Sequence, residues 1–258
     1  MSDALASAVV RLYEAGIPDP SVEARKLATL AEEQGVALDS LVARRATHEP
    51  FSHIAGRRAF WNHDFHVTAD VLDPRPDTET LVETALSLPF DRVLDLGTGS
   101  GCILCSLLAE RPSTTGVGAD ISGAALKVAA RNAQVTQTTD RVVWVESDWF
   151  DAVEGDFDLI VSNPPYITEA AYAELDPTVQ RFEPRIALTP GGDGLAPYRL
   201  IAQYGPDYLR EDGYAVLEIG YDQGDSVQAM FRAAGWRDVA CIPDLNGKDR
   251  VIRAKSPK

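Results

Sequence analysis

Where Asp158-Leu159-Ile160-Val161 runs into Ser162-Asn163-Pro164-Pro165-Tyr166, the chain joins a short apolar run to an amide, two prolines and a phenol. The run reads as a buried strand, and the rest as the loop that leaves it. Proline fixes its own φ and pushes the preceding residue out of the helical region, so Asn163 is held extended. The prolines also remove two N–H donors, so the loop's oxygens face no competing donor of their own. Such a loop suits a planar amide or aromatic amine, whose delocalised lone pair makes its nitrogen a poor nucleophile. If the Asn163 side-chain oxygen and the Pro164 carbonyl both accept from that NH2 group, they aim the nitrogen and favour the positive charge that grows on it during transfer. With a sulfonium methyl as electrophile, positioning can do much of the rest, and no strong base is required at the start. Pro165 stiffens the loop and Tyr166 adds an aromatic face.

An earlier strand, residues 92–96, ends in Asp95-Leu96-Gly97-Thr98-Gly99-Ser100-Gly101. Glycines there let the backbone turn sharply and approach a ligand closely. The next strand ends at Asp120, where an acid can accept from ribose hydroxyls. A nucleoside-type cofactor is expected at this turn. Asp148-Trp149 follows the third strand: the acid can accept from an exocyclic amine, and the indole can stack on adenine. Asn163 stands between the two groups of residues and is assigned to both cofactor and acceptor.

Elements of two kinds must position these residues. Up to about residue 60 the chain reads as short helices. Leu5, Val9 and Leu12 share one face, Asp19 can cap a second helix with Pro20 at its first position, and Gly35 ends it. A third helix is expected over residues 38–46. Residues 61–74 form a connector with hairpin-like character, interrupted by Pro74 and Pro76. Over 75–258, strands are expected at 92–96, 115–119, 141–146, 158–161, 214–219, 239–242 and 250–254. Helices fall after the glycine turn and at 123–135, 195–209 and 223–234. This alternation predicts an α/β fold: a doubly wound, Rossmann-like sheet of seven strands. The final pair is too close in sequence for a crossover and must be antiparallel.

Together these motifs resemble the release-factor glutamine methyltransferase family over nearly the whole chain. Pro74-Arg75-Pro76-Asp77-Thr78-Glu79 and Arg181-Phe182-Glu183-Pro184 narrow the match, because the Asn-Pro-Pro-Tyr motif alone is shared with adenine-N6 methyltransferases. The resemblance implies a methyltransferase sheet with S-adenosyl-L-methionine held by Gly97, Thr98, Gly99, Ser100, Gly101, Asp120 and Trp149. It implies that Asn163, Pro164, Pro165 and Tyr166 hold the glutamine of a Gly-Gly-Gln tripeptide in peptide chain release factors. The helical module, residues 1–60, would help recognise the factor. Asp73 stands where the family usually has an apolar residue, and His53 where an aromatic one is usual. Arg75 and Glu79 are candidates for shaping the cofactor's entrance.

The formal net charge of −15 argues against gripping a phosphate backbone, so no direct nucleic-acid partner is expected. That charge also counts against an adenine-N6 nucleic-acid methyltransferase, the first competing reading. An NAD(P)-dependent oxidoreductase is the second; the G-x-G-x-G spacing fits the dinucleotide fingerprint poorly. No apolar run nears the roughly 20 residues of a membrane span. Three cysteines cannot build a disulfide framework, and no basic-then-apolar N-terminus is seen, so a cytoplasmic monomer is expected. Cys102 and Cys105 read as small core residues, and no metal site is expected.

Overall fold

The structure is a computed structural model that describes residues 3–258, which divide into two compact units. The first runs to Arg57 and takes in Asp176–Phe182. Its helices are α1 (Asp3–Glu14), α2 (Pro20–Gln34), α3 (Leu38–Ala46) and α4 (Phe51–Ala55). Ala8 and Leu12 of α1 pack with Ala24, Leu27 and Leu30 of α2 and Leu41 of α3, and Leu5 and Val9 close the rim. Pro20 opens α2 as expected, but Asp19 is left-handed (φ 49°) and makes no side-chain cap. The left-handed conformation turns its carboxylate away from the first-turn amides it would otherwise satisfy. The short helix α4 lies outside the sequence expectation.

The second unit, Arg58–Leu175 with Glu183–Lys258, carries the sheet. A hairpin of β1 (Arg57–Phe60) and β2 (His63–His66) is followed by a 3-10 turn, Pro76–Thr78, and α5 (Glu79–Leu86). Then come β3 (Arg92–Leu96), α6 (Cys102–Glu110), β4 (Thr115–Asp120), α7 (Gly123–Val135), β5 (Val142–Glu146) and β6 (Phe157–Ser162). After β6 stand three short helices, α8 (Glu169–Ala173), α9 (Pro177–Phe182, clustered with the first unit) and α10 (Arg185–Leu188). The chain closes with α11 (Ala196–Tyr208), β7 (Leu209–Glu218), α12 (Gly224–Ala233), β8 (Arg237–Pro243) and β9 (Asp249–Lys255).

The seven-stranded sheet has the order β5-β4-β3-β6-β7-β9-β8. β3 to β7 are parallel, and β9 runs antiparallel to both β7 and β8. Alternate residues of each central strand enter opposite cores, as the two-residue period of a strand demands. Leu94, Ile160 and Leu217 face Tyr198 and Ile201 of α11 and Val227 and Phe231 of α12. Val93, Leu159 and Val216 face Leu81 of α5 and Leu104 and Leu107 of α6. Cys102 and Cys105 lie buried in that second core.

Candidate functional site

β3 and β6 are neighbours, with Asp95 opposite Val161, so both strands end at the same level. The Ser162 hydroxyl donates to the Leu96 carbonyl at 2.6 Å and fixes that alignment. The glycine loop and the Asn163 loop therefore leave adjacent strands on the carboxyl edge of the sheet. The chain crosses from β3 to β4 on one side while β6 lies on the other, which is the switch point where open α/β sheets bind ligands.

A cleft of about 400 Å3 opens there, lined by Gly97, Thr98, Gly99, Ser100, Asp120, Asp148, Trp149, Asn163 and Pro165 among others. Of the residues singled out from sequence, Gly101, Pro164 and Tyr166 do not line it. Gly97 and Gly99 hold φ of 66° and 54°, a region L side chains rarely adopt. A Cβ at Gly97 would meet nothing within 4 Å, and at Gly99 only the Gly97 carbonyl at 4.0 Å. The bare backbone thus borders open space into which a ligand can come close. Gly101 differs: its Cβ would stand 3.0 Å from that of Ala129 and 3.1 Å from the Trp144 ring. Its lack of a side chain serves the packing of α6 on α7, so its part in the cleft is indirect.

The loop is braced from three sides. Asp120 accepts from Gly99 N–H at 2.8 Å through Oδ2 and from Ser122 N–H at 2.9 Å through Oδ1. Burial raises its pKa, and these two backbone bonds oppose the rise. Each Asp120 oxygen keeps a lone pair for a ligand. Thr98 donates to Asp95 at 2.6 Å, while the other Asp95 oxygen, fully buried, has no partner. Burial pushes the Asp95 carboxyl up to about 7. Asn132 of α7 donates to Ser100 O at 2.8 Å and to His66 O at 2.9 Å, tying the glycine loop to the hairpin.

Trp149 sits at φ 51°, strained for a bulky side chain. Ser147 holds it there, donating to Trp149 O at 3.0 Å and accepting from Ala152 N–H at 2.9 Å. Beyond Asn163, the loop is pinned at Tyr166. Gln223 donates to Tyr166 O at 3.0 Å, and a Cβ on Gly194 would fall 2.2 Å from the same oxygen, so only glycine passes there. The Tyr166 side chain packs against the core, its hydroxyl 3.5 Å from Glu218, and burial raises its pKa strongly. The ring is thus partly buried, with one side against the core and the rest exposed.

Several residues that the sequence did not assign meet behind Asn163. The Asn163 amide nitrogen donates to Thr78 Oγ1 at 3.3 Å. Glu218 is 2% exposed, and burial pushes its carboxyl up to about 7 against the opposing pull of Thr78 and Arg250. Arg250 pairs with Asp244 at 3.1 Å and Asp77 at 3.3 Å. Arg75 lines the cleft and pairs with Glu183, joining the two segments that narrow the family resemblance. Glu79 does not line the cleft; it accepts from Trp61 N–H at 2.8 Å and steadies the hairpin. Asp73 is buried beside the cleft and faces Arg58 at 3.8 Å, which explains how a charge replaces an apolar residue there. Only the Pro-Arg-Pro and Arg-Phe-Glu-Pro segments signalled this cluster. Glu218 closes a strand beside the site but carries no spacing signature.

Residues 67–193 match the model of the methyltransferase small domain. Among solved structures, a methyltransferase from Pyrococcus furiosus superposes with TM-score 0.59 at 15% identity, covering 84% of this chain and 98% of that one. The hMettl16 catalytic domain, in complex with MAT2A 3'UTR hairpin 6, gives 0.63 at 17% identity, covering 84% and 82%. Sheet order and likeness together define the fold of class I methyltransferases. A protein of Cereibacter sphaeroides named release factor glutamine methyltransferase is 46% identical over 99% of this chain and 98% of its own length. Namesakes from Rhodospirillum rubrum and Caulobacter vibrioides are 43% and 42% identical, over 95% and 94% of this chain and 82% and 91% of theirs. The chain belongs to the release factor glutamine methyltransferase family.

Glu218 has a consequence for stability. Its carboxyl holds a proton more readily in the folded chain than in the unfolded one. Its contribution to stability is therefore full below the unfolded carboxyl pKa and is lost as pH rises toward 7. Glu218→Gln removes this titration, so from pH 5 to pH 8 the variant should lose on the order of 2 kcal/mol less stability than the parent. Denaturant unfolding at the two pH values measures this, and equal slopes would show that Glu218 titrates normally.

Proposed function

We propose that the chain methylates the side-chain amide nitrogen of a glutamine in a peptide chain release factor, at the cleft between the glycine and Asn163 loops. S-adenosyl-L-methionine, the methyl donor, supplies a methyl group already activated on a positively charged sulfur. The cleft suits it: open backbone at Gly97 and Gly99, a carboxylate at Asp120 with free lone pairs, and Trp149 on the wall. In this reading Asp120 accepts from the ribose hydroxyls, and Asp148 and Trp149 hold the adenine end. Thr98 and Ser100 shape the loop between them, and Gly101 keeps α6 close behind it.

The single observation that carries the acceptor reading is the placement of Asn163 on the cleft wall with its amide nitrogen already occupied by Thr78. The Asn163 oxygen accepts from the glutamine NH2 and aims its lone pair, while Pro164, expected to add its carbonyl but outside the cleft lining, and Pro165 stiffen the loop. The same oxygen stabilises charge on nitrogen as it becomes cationic, an interaction stronger in the transition state than before it. An adenine-N6 nucleic-acid methyltransferase is not favoured: the chain carries a net charge of −15, and its relatives are named for release factors. No described helix is long and apolar enough to cross a membrane, and we place the reaction in the cytoplasm.

Asp120→Ala should weaken S-adenosyl-L-methionine binding about 10- to 100-fold, the worth of a charge-assisted hydrogen bond. Part of that loss comes through the Gly99 brace. Calorimetry showing parental affinity in a folded variant would take Asp120 out of the cofactor site.

Asn163→Ala should lose turnover about 100- to 1000-fold, by analogy with removal of one preorganised oxyanion-hole donor, while keeping cofactor affinity. The assay is methyl transfer to a release factor, with the modified residue located by mass spectrometry. Near-normal turnover would break the mechanism, and loss of cofactor affinity in step with turnover would move Asn163 to the cofactor.

The helical unit is assigned to recognition of the release factor. Its helix α1 exposes Tyr13 (74%) and Val10 (54%), apolar surface that needs a protein partner more than a small cofactor does. Tyr13→Ser with Val10→Ser should raise KM for the factor several-fold, on the order of one lost interface contact. Cofactor affinity should not change. An unaltered KM would place recognition elsewhere.

A further inference from the structure

An asparagine amide looks nearly the same with its oxygen and nitrogen exchanged, but only one orientation serves this reaction. With its oxygen toward the acceptor, Asn163 receives a hydrogen bond from the glutamine NH2. With its nitrogen there, donor would face donor. Something must fix the choice, and the Asn163 loop cannot do so itself, since Pro164 and Pro165 have no N–H to offer.

Thr78 lies on the far side. It is 2% exposed, lines the cleft, and has its Oγ1 3.3 Å from the Asn163 amide nitrogen. A hydroxyl can donate or accept, so this contact alone leaves the orientation open. The second neighbour of Thr78 decides it. Glu218 is a buried carboxyl that, once ionised at pH above about 7, can only accept. Thr78 lies close enough to Glu218 to favour its charged form, although no hydrogen bond of standard geometry joins them. Glu218 Oε2 is buried with no partner, so its lone pairs are open to the single Thr78 proton, while Oε1 meets the Tyr166 hydroxyl at 3.5 Å. Arg250 also favours the charged form of Glu218, from a position held by Asp244 and Asp77. Threonine has one hydroxyl proton. Once it is directed at Glu218, a lone pair is what remains for Asn163, and the group facing that lone pair must be NH2.

We propose that Thr78 is a positioning residue for methyl transfer: its hydroxyl oxygen holds the Asn163 NH2 group, so that Asn163 turns its oxygen to the acceptor amide. This rests on the acceptor reading of Asn163 given above. Thr78 acts through Asn163 and touches neither reacting group.

Thr78→Val keeps the shape and removes the hydroxyl, while Thr78→Ser keeps the hydroxyl. Both are assayed as full-length protein in steady-state methylation of a release factor, with S-adenosyl-L-methionine affinity measured by calorimetry. Thr78→Val should lower kcat about 5- to 10-fold, the effect of one ordinary hydrogen bond, with KM and cofactor affinity within about twofold of the parent. Thr78→Ser should keep parental kcat. Added to Asn163→Ala, Thr78→Val should cost nothing further, because the residue through which it acts is gone. Parental kcat in Thr78→Val, an equal loss in Thr78→Ser, or losses that multiply in the double variant would each overturn the proposal. If Asn163→Ala is crippled while Thr78→Val is unaffected, only the role of Thr78 fails. If Asn163→Ala is itself near normal, the acceptor reading fails beneath it.

Discussion

Two parallel strands that end level with each other govern this site. β3 delivers the glycine loop and β6 delivers Asn163, and their register, closed by the Ser162–Leu96 hydrogen bond, sets how far apart the two loops begin. A slip of one residue would turn every side chain of β6 to the opposite core and bury Asn163 or expose Ser162. Buried apolar residues on both faces of the sheet make such a slip costly, so the distance between donor side and acceptor side is held by the core itself.

Within that frame, buried carboxylates do the fine placement. Asp120 grips the turn through two backbone amides, Asp95 grips it through Thr98, and Glu218 stands behind Thr78 and Tyr166. Asp95 and Glu218 are raised to about 7 by burial. These are groups whose solvation has been exchanged for position, an arrangement concentrated at functional sites. The cost is local, and the cores on either side of the sheet are large enough to carry it.

The sheet was legible because its signals are local. Alternation of apolar strands with helices, the positive-φ glycines and the antiparallel closing pair all follow from short stretches of chain. Residues 38–46 and 123–135 match α3 and α7 to the residue. The elements missed were α4, α5 and the three short helices between β6 and α11, although Leu81, Val82 and Ala85 give α5 an apolar face. α8, α9 and α10 are too short to show one. In the site, Gly97, Gly99, Asp120 and Asn163 carried their own signature. Thr78 and Glu218 did not, since their part depends on contacts between residues 78, 163 and 218. Tyr166 read as an acceptor surface because its motif lies beside Asn163, and only the fold reveals that part of its ring packs on the core. Gly101 read as cofactor loop for the same reason, yet its open side faces Ala129 and Trp144.

The Arg75–Glu183 pair spans 108 positions of sequence, and every strand from β3 to β6 lies between its partners. Contacts so distant cannot reward the chain until the intervening loop has closed, so this one arrives late in folding, after the central sheet has assembled. One wall of the cleft is thus fastened by a contact that exists only once the whole central sheet is in place. An occupant of the cleft that touches Arg75 adds its binding energy to a contact that only the folded chain can make, and so stabilises the fold as a whole.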